Sequence, residues 1–291
     1  MATYVRLDTE LVRRGLARSR RHAGELIMAG RVSIDGSAAV KSATPLEPGQ
    51  ALHVRDRPHA APDYVSRAGY KLAGALDVLG VGGPRVRGRT CLDAGASTGG
   101  FTDVLLRRGA VHVVAVDVGH GQLVPELRTD TRVTVREGVN VRHLCPGDID
   151  PAPGLVVGDL SFISLTLVLP ALVAVAAPGA DLLLLVKPQF EVGRERLGAG
   201  GVVREPRLRA DAVLDVARSA AGLGRLTRAV VASPLPGPSG NVEYFVWLVE
   251  GPAGAGTGDP ATLVDVADLV DRAVAAGPTG EGTGWTSGAD R

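Results

Sequence analysis

The chain has 291 residues, of which 45% are apolar, enough for one large globular domain and a small one. The net charge of +1 divides unevenly: residues 1–60 hold ten basic and six acidic residues, whereas residues 61–291 hold 22 and 25. The N-terminal excess favours contact with a polyanion, although a solvated charged helix face would give the same pattern.

The two cysteines, Cys91 and Cys145, lie in no metal or redox spacing, so we expect no metal site and a reducing compartment.

Residues 1–58 are expected to form a small α+β module. Apolar residues recur at helical spacing in LDTELVRRGLA and SRRHAGELIMAGRV. Gly15 and Gly30 fall where these two helices should end, and Ser19 is a suitable N-cap for the second. The segment RVSIDGSAAVK alternates apolar residues ahead of an Asp-Gly pair, which predicts a β-hairpin. A polar linker, residues 59–65, follows.

Residues 66–250 read as alternating strands and helices. The strands are fully apolar, which predicts a parallel sheet covered on both faces; they lie in TCLDAG, VHVVAVDVG, RVTVREG, LVVGDLS, LLLLVKP, TRAVVASP and VEYFVWLVE. The last strand follows its neighbour through PLPGPSGN, which is too short for a helical crossover, so this strand should be antiparallel. Residues 251–291 form a Gly/Pro-rich tail, in which we expect one helix and otherwise disorder.

Leu160 to Ala180 is uncharged over 21 residues, close to the length of a membrane-spanning helix. Serine, proline and glycine interrupt this stretch and aspartates bracket it, so a strand end followed by a buried helix explains it better. The opening, MATYVRLDTE, has acidic residues where a signal peptide needs an apolar run. We therefore expect no membrane contact and a cytoplasmic location.

A glycine-rich turn follows the first large-domain strand in CLDAGASTGGFTDVLL. Glycine lets the backbone approach a ligand closely, and the start of the next helix offers unpaired N–H groups. The spacing differs from the dinucleotide fingerprint G-x-G-x-x-G. The turn carries no basic residue, which favours a nucleoside without phosphates, such as S-adenosylmethionine, over NAD. The candidate cofactor residues here are Gly95, Ala96, Ser97, Gly99, Gly100 and Phe101.

Acidic residues follow three of the predicted strands at the edge where ligands of open parallel sheets bind. Asp93 ends the first strand and Asp159 the fourth. Asp117 ends the second, 22 residues after Gly95, which is where a ribose hydroxyl pair is commonly held. Asn140, after the third strand, is a candidate for an adenine contact.

Lys187 ends the apolar strand LLLLVKP, in a chain whose 32 basic residues include only three lysines. A lysine can lose its proton when partly buried, whereas an arginine cannot. Lys71, on the helix before the first strand, and Glu243, at the start of the last, could meet Lys187 and Asp159 beside the cofactor. A neutral amine could then accept a proton from a hydroxyl. The alternative is that Lys187 only extends its ammonium to solvent from a strand end.

The residues Lys71, Asp159, Lys187 and Glu243 resemble the Lys-Asp-Lys-Glu tetrad of the FtsJ-like RNA 2′-O-methyltransferases. Residues 5–250 are similar to the TlyA-type (hemolysin A-like) subgroup, on the motifs LDAGASTGGFT, GDLSFISL, LVKPQFEVG and SPLPGPSGNVEYF. The N-terminal module resembles the alpha-L RNA-binding fold of a small-subunit ribosomal protein, through ELVRRGLARSR, AGRVSIDG and AVK. The linker departs from the family pattern: it reads PDYV, where the family has Arg and Trp.

The resemblance implies an α/β, Rossmann-like methyltransferase sheet that uses S-adenosylmethionine to methylate cytidine 2′-hydroxyls in ribosomal RNA of both subunits. Lys187 would be the base or the hydroxyl-orienting group, Asp159 and Glu243 would position it, and Lys71 would be the second cation. Ribosomal RNA, or a ribosomal subunit, would be the partner. The sequence leaves the oligomeric state open, and a monomer is the working expectation.

RNA contacts on this reading come from both domains. The N-terminal candidates for phosphate contacts are Arg6, Arg18, Arg20 and Lys41, each of which could instead form a structural ion pair. A 2′-hydroxyl in folded RNA is best reached when the nucleotide leaves its stack. Phe162 could stack on that base or be a core residue, and Ser239 could contact the same nucleotide. Two rivals remain: a non-catalytic assembly factor and a membrane-active cytolysin.

Overall fold

The chain divides into two units, residues 1–63 and residues 64–291. The computed structural model describes residues 4–17, 19–28, 30–39, 41–47, 49–54, 63–251 and 260–277. Of the predictions above, Arg18, linker residues 59–62 and the tail residues 252–259 and 278–291 lie outside the described residues.

The N-terminal unit combines two helices with short strands. In chain order the elements are β1 (Val5–Arg6), α1 (Leu7–Arg13), α2 (Arg20–Met28), β2 (Val32–Ile34), β3 (Ser37–Ala38), β4 (Pro45–Leu46) and β5 (Leu52–Val54). β2 pairs antiparallel with β3 and β5, and β1 pairs antiparallel with β4. Apolar side chains of both helices, among them Leu7, Leu11 and Ile27, are buried against Val32 and Leu46. This packing is the reason that the helical spacing of the sequence forms stable helices.

The local signals in this unit are confirmed. Gly15 and Gly30 follow the two helices with φ of +70° and +63°, and the Ser19 hydroxyl accepts a bond of 3.1 Å from the His22 N–H. Asp35 and Gly36 both have positive φ, 48° and 85°, as a two-residue hairpin turn requires.

The second unit alternates helices and strands as predicted. In chain order its labelled elements are α3 (Arg67–Leu79), β6 (Thr90–Ala94), α4 (Gly100–Arg107), β7 (His112–Asp117), α5 (Pro125–Arg128), β8 (Val133–Glu137), β9 (Leu155–Gly158), α6 (Leu169–Val175), β10 (Asp181–Val186), α7 (Pro188–Glu191), α8 (Pro206–Ala221), β11 (Arg225–Ala232), β12 (Tyr244–Glu250) and α9 (Pro260–Ala276).

The strands of the described part of this unit form one sheet in the order β11-β12-β10-β9-β6-β7-β8. The pairs among β6, β7, β8, β9 and β10 are parallel, whereas β12 is antiparallel to both β10 and β11. The predicted antiparallel last strand is therefore confirmed. β12 inserts between β10 and β11, so its first residue lies at the edge where β9 and β10 end.

Both faces of the sheet are covered. Along β10, Leu182, Leu184 and Val186 enter one hydrophobic core, while Leu183 and Leu185 enter the core on the opposite face. Full burial of a leucine side chain contributes about 1.5–3 kcal/mol. The five apolar residues Leu182–Val186 therefore keep β10 in the middle of the sheet, and the residue that follows, Lys187, lies at the edge.

The tail contributes a helix to the first of these cores. Val266, Val270 and Ala273 of α9 are buried with residues of α8 and β11. The uncharged stretch from Leu160 to Ala180 contains a short 3-10 turn and the seven-residue α6. Within the described part of the chain, no helix has the length and apolarity needed to cross a membrane.

Candidate active site

Four charged side chains gather at one edge of the sheet. Asp159 and Lys187 directly follow the neighbouring parallel strands β9 and β10, and Glu243 directly precedes the antiparallel β12. Val186 is paired with Tyr244 across β10 and β12, which places Lys187 and Glu243 at the same level of the sheet. Lys71 reaches this edge from α3. The predicted tetrad therefore depends on the reversed direction of the last strand.

Lys187 and Asp159 form the first of two ion pairs. The Lys187 Nζ lies 2.7 Å from Asp159 Oδ1. It also donates a hydrogen bond of 2.7 Å to the Ser161 hydroxyl oxygen. The Lys187 side chain is only 10% exposed. The amine is therefore held by two partners from the segment after β9, and it is not extended into solvent as the alternative proposed.

Lys71 and Glu243 form the second pair, with 2.5 Å between Nζ and Oε2. Their side chains are 8% and 1% exposed. Gln189 adds a long contact of 3.5 Å from its Nε2 to the other oxygen of Glu243. A Cβ at Gly237 would lie 2.6 Å from that oxygen, so the loop before β12 needs glycine there. The four charged residues predicted to converge form two separate ion pairs. Glu243 was expected to position Lys187, but it pairs with Lys71 instead, and of the two predicted positioning residues Asp159 is the one that contacts Lys187.

The glycine turn lies directly against the sheet edge that carries these four charged side chains, which we call the catalytic edge. Gly95 has φ of +85°, and a Cβ there would lie 3.0 Å from the Asp159 carbonyl oxygen and 2.9 Å from a Leu160 methyl. Ser97 is also left-handed, with φ of +47°. Ala96 is buried beside it. The turn that was predicted to approach a cofactor is thus packed against the residue that carries a tetrad carboxylate.

Three residues of the predicted turn have packing roles. A Cβ at Gly99 would lie 2.3 Å from a Leu127 methyl, and one at Gly100 would lie 2.3 Å from the Ser66 hydroxyl. The Phe101 ring is buried, with its centroid 5.9 Å from that of Phe245. The missing side chains of Gly99 and Gly100 and the buried Phe101 ring let the start of α4 pack closely on its neighbours, and a cofactor contact from Gly100 or Phe101 would have to use backbone atoms.

Asp93 is fully buried at the end of β6. Its Oδ2 accepts a 2.6 Å bond from the Thr102 hydroxyl, and among the described residues no hydrogen-bond donor reaches Oδ1. Burial is the main reason that the pKa of Asp93 rises to about 7; the Thr102 bond lowers it and the charge of Asp159 raises it further. A buried acceptor with no donor is suited to a ligand that brings a cationic donor.

Asp117 and Asn140 lie where the sequence placed them, at the end of β7 and after β8 respectively. The Asp117 carboxylate accepts backbone bonds from Ser97 (2.8 Å) and Gly119 (2.7 Å). A carboxylate has about four acceptor positions, so ribose hydroxyls can still bind. The Asn140 side-chain oxygen accepts from the Arg142 N–H at 3.0 Å and caps a short 3-10 turn, which leaves its amide group to contact a base.

The N-terminal RNA candidates differ in their surroundings. Arg6 and Arg20 both contact Asp8, at 2.9 Å and 3.1 Å, so the structural ion pair considered from the sequence is present for both. The hydrogen bond from Arg6 is the largest cause of a pKa of Asp8 well below its usual range. Both arginines remain more than half exposed and can still meet a phosphate. Lys41 is exposed.

Phe162 is a surface residue, and the alternative that it belongs to a core is wrong. Its side chain is 91% exposed, and its backbone is left-handed with φ of +64°. Its ring centroid lies 5.2 Å from that of Phe190 in α7, next to the Lys187 site. Ser239 is exposed in the loop before Glu243.

Sequence reasoning missed three polar residues of this edge. Ser161 accepts from Lys187, Gln189 contacts Glu243, and Glu191 binds the segment after β9. All three lie inside the motifs GDLSFISL and LVKPQFEVG, so the signal was present. Their roles depend on contacts between segments, which the motifs alone do not reveal.

Comparison with known proteins identifies two domains in the chain. Residues 64–250 match the FtsJ-like methyltransferase family, and residues 5–52 match the S4 domain. The chain belongs to the FtsJ-like methyltransferase family. The family assignment and the Rossmann-like α/β fold predicted from the sequence are both confirmed.

Relatives of the chain span nearly its full length. It is 55% identical over 278 residues to the 16S/23S rRNA (cytidine-2′-O)-methyltransferase TlyA of Mycobacterium tuberculosis, covering 96% of this chain and 100% of that one. It is 41% identical to YqxC of Bacillus subtilis, named as an rRNA methyltransferase, covering 86% of this chain and 88% of the relative. A Streptococcus thermophilus structure described as a hemolysin superposes with a TM-score of 0.70 at 36% identity, covering 94% and 96% of the two chains.

We expect the Gly95→Ala variant of this FtsJ-like enzyme to lose both stability and activity. An L-residue in the left-handed region costs about 1–2 kcal/mol, and the added methyl would also press on Asp159. Gly147→Ala is the matched control, because Gly147 has φ of +90° and a Cβ there meets nothing within 4 Å. In thermal melts Gly95→Ala should be the less stable of the two, and only Gly95→Ala should lose methyl transfer. Equal loss in both variants would contradict the packing role.

Proposed function

We propose that this chain transfers a methyl group from S-adenosylmethionine to the 2′-hydroxyl of cytidine in ribosomal RNA. The observation that carries the proposal is the buried Lys187–Asp159 pair, together with the close approach of the Asp159 backbone to Gly95 of the glycine turn. Family membership and the full-length relative from Mycobacterium tuberculosis support the same reaction. That relative is named for both 16S and 23S RNA, so we infer that both ribosomal subunits are substrates. We expect the protein to act in the cytoplasm, where ribosomes are assembled, without a metal ion.

The residues at the turn fit S-adenosylmethionine on two observations. The orphaned Asp93 oxygen is suited to an ammonium group, and the left-handed Gly95 brings the backbone close to the site. Asp117 would hold the ribose hydroxyls and Asn140 the adenine, while the backbone of the turn lines the site. When bound, S-adenosylmethionine supplies a methyl group on a cationic sulfonium sulfur.

Lys187 would act on the RNA hydroxyl. Lys187 contacts Asp159 and donates to Ser161, and as an ammonium group it would orient the 2′-oxygen by donating a hydrogen bond. Asp159 is then the nearest acceptor for the hydroxyl proton, and a neutral Lys187 is the second route for that proton. Glu243 holds Lys71 in place, and Lys71 adds positive charge beside the reacting oxygen.

The RNA would be held at both units. Arg6, Arg18, Arg20 and Lys41 would contact phosphates, which positions the RNA without reading its sequence. Phe162 would stack on an extruded base, and Ser239 would contact the same nucleotide. Selection of the target would therefore depend mainly on RNA shape.

The test is transfer of labelled methyl from S-adenosylmethionine to separated ribosomal subunits, assembled ribosomes and naked rRNA, followed by mapping of 2′-O-methyl positions. We expect ribose methylation at defined cytidines of both 16S and 23S RNA, in separated subunits or in assembled ribosomes. Binding of S-adenosylmethionine without transfer to any of these RNAs would overturn the proposal and would instead fit an assembly factor.

Binding of S-adenosylmethionine should strengthen with pH through Asp93. Because the pKa of Asp93 is about 7, the group is mostly protonated at pH 6 and mostly a carboxylate at pH 7.5. A cationic amino group pairs only with the carboxylate, so the affinity should rise about five- to tenfold over this interval. Calorimetry at each pH checks this. Asp93→Asn should bind weakly with no such slope, and an unchanged slope in that variant would contradict the assignment.

A further inference from the structure

Glu191, the last residue of α7, binds a segment on the other side of the catalytic edge. We define this segment, Ser161–Leu167, as the rim loop. The Glu191 carboxylate accepts a 2.5 Å bond from the Ser164 hydroxyl and a 2.9 Å bond from the Leu165 N–H. The bonds join the segment after β9 to the segment after β10. They therefore connect the two parts of the chain that carry Asp159 and Lys187.

The rim loop needs such a restraint because it is strained. Phe162 is a non-glycine residue with φ of +64°, a conformation that costs about 1–2 kcal/mol and persists only where the surroundings enforce it. The neighbouring Ser161 accepts the bond from Lys187, and the Phe162 ring packs on Phe190, which precedes Glu191. Two short contacts to Ser164 and Leu165 restrain the chain two and three residues beyond Phe162.

Glu191 is an unusual residue to find in this position. It is partly buried, and no Lys or Arg of the described residues forms an ion pair with it. Desolvation is the main cause of a raised pKa of Glu191, which the bonds from Ser164 and Leu165 partly oppose. A carboxyl group in such surroundings is retained only where its hydrogen bonds compensate for the lost hydration.

We propose that Glu191 is a positioning residue that holds the rim loop, and with it Ser161 and Phe162, beside Lys187. The proposal rests on the function proposed above and deepens it. Glu191 touches neither substrate nor cofactor on this reading. It acts on the RNA through Phe162 and on the catalytic amine through Ser161.

A merely structural role is the competing explanation. Ser164 also caps the 3-10 turn that follows it, accepting from the Thr166 N–H. Loss of Glu191 would then lower stability but leave the affinity for RNA and the rate of transfer unchanged. The experiment must therefore measure RNA-dependent kinetics and loop order separately from stability.

Glu191→Ala, Glu191→Gln and Ser164→Ala are the test variants, and Glu195→Ala is the control, because Glu195 is an exposed carboxylate four residues further on. With ribosomal subunits as substrate, Glu191→Ala should lower kcat/KM for RNA about 10- to 100-fold through displacement of the rim loop. Ser164→Ala should lose less, since the Leu165 bond remains. Glu191→Gln retains an acceptor for Leu165 and should recover most of the activity. Affinity for S-adenosylmethionine should stay within about twofold in every variant.

A double-mutant cycle separates positioning from stability. If Glu191 acts through Phe162, Glu191→Ala should cost much less in a Phe162→Ala background than in the wild type. Fully additive effects on kcat/KM would overturn the proposal, as would wild-type kinetics in Glu191→Ala.

Hydrogen–deuterium exchange tests the restraint without any activity. Residues 161–167 should exchange faster in Glu191→Ala than in the wild type, and at the wild-type rate in Glu195→Ala. Unchanged exchange in Glu191→Ala would overturn the inference even if the enzyme methylates RNA. If residues 161–167 exchange faster in Glu191→Ala but the wild-type protein transfers no methyl group to RNA, the restraint is supported and only the proposed function is contradicted.

Discussion

Lys187→Ala is expected to lower kcat for methyl transfer to ribosomal RNA by about 10²- to 10⁴-fold, the usual contribution of a group that moves or orients a proton. The variant removes the amine that Asp159 and Ser161 hold at the catalytic edge. Affinity for S-adenosylmethionine should change little, because the proposed cofactor contacts come from the glycine turn, Asp93 and Asp117. Single-turnover transfer to ribosomal subunits is the measurement.

Lys187→Arg distinguishes the two roles considered for this amine. Arginine keeps the positive charge but cannot release a proton at neutral pH. Recovery of substantial activity in Lys187→Arg would support an orienting cation, whereas loss equal to that of Lys187→Ala would fit either a base or a strict shape requirement. Wild-type transfer by a folded Lys187→Ala protein would contradict any role of Lys187 in the reaction.

Glu243→Ala is expected to destabilise the methyltransferase unit by about 3–5 kcal/mol, because it leaves the buried Lys71 ammonium without its partner. Activity should also fall, since Lys71 would no longer be held at the edge. Thermal and denaturant unfolding of the full chain measure the first effect. Arg218→Ala is the control: Arg218 pairs with Asp215 on the surface, where both side chains are more than half exposed, and such a pair contributes at most about 1 kcal/mol.

Joint replacement of the pair separates stability from function. Apolar residues of similar volume often replace a buried ion pair at little cost, so Lys71→Met combined with Glu243→Leu should regain most of the lost stability. This double variant should remain inactive if the charges serve the reaction. Recovery of methyl transfer together with stability would show that the Lys71–Glu243 pair is structural.

Much of the fold was predictable because its signals are local. Runs of apolar residues between helical segments define the strands, and each strand brings its own last residue to the edge. Asp93, Asp117, Asp159 and Lys187 were therefore assigned to one edge from the sequence alone. The reversed last strand was predictable too, since the connection before it is too short for a crossover.

Contacts between distant segments could not be predicted in the same way. The sequence indicated that Lys71, Asp159, Lys187 and Glu243 converge, but Lys71 and Glu243 are 172 residues apart, and their pairing depends on how α3 packs against the sheet. The packing roles of Gly100 and Phe101 likewise follow from the position of α4. A sequence motif gives the residue types in one segment, but it does not show which of their atoms contact another segment of the chain.

The amino-acid sequence by itself determined the order of strands and helices, the position of the glycine turn and the set of four charged residues, because hydrophobic periodicity and turn chemistry act over a few residues. Only the tertiary structure decided that β12 lies between β10 and β11, that the charges form two separate pairs, and that Glu191 restrains the rim loop. Those features depend on strand register and on packing across the sheet, which no short stretch of the chain contains.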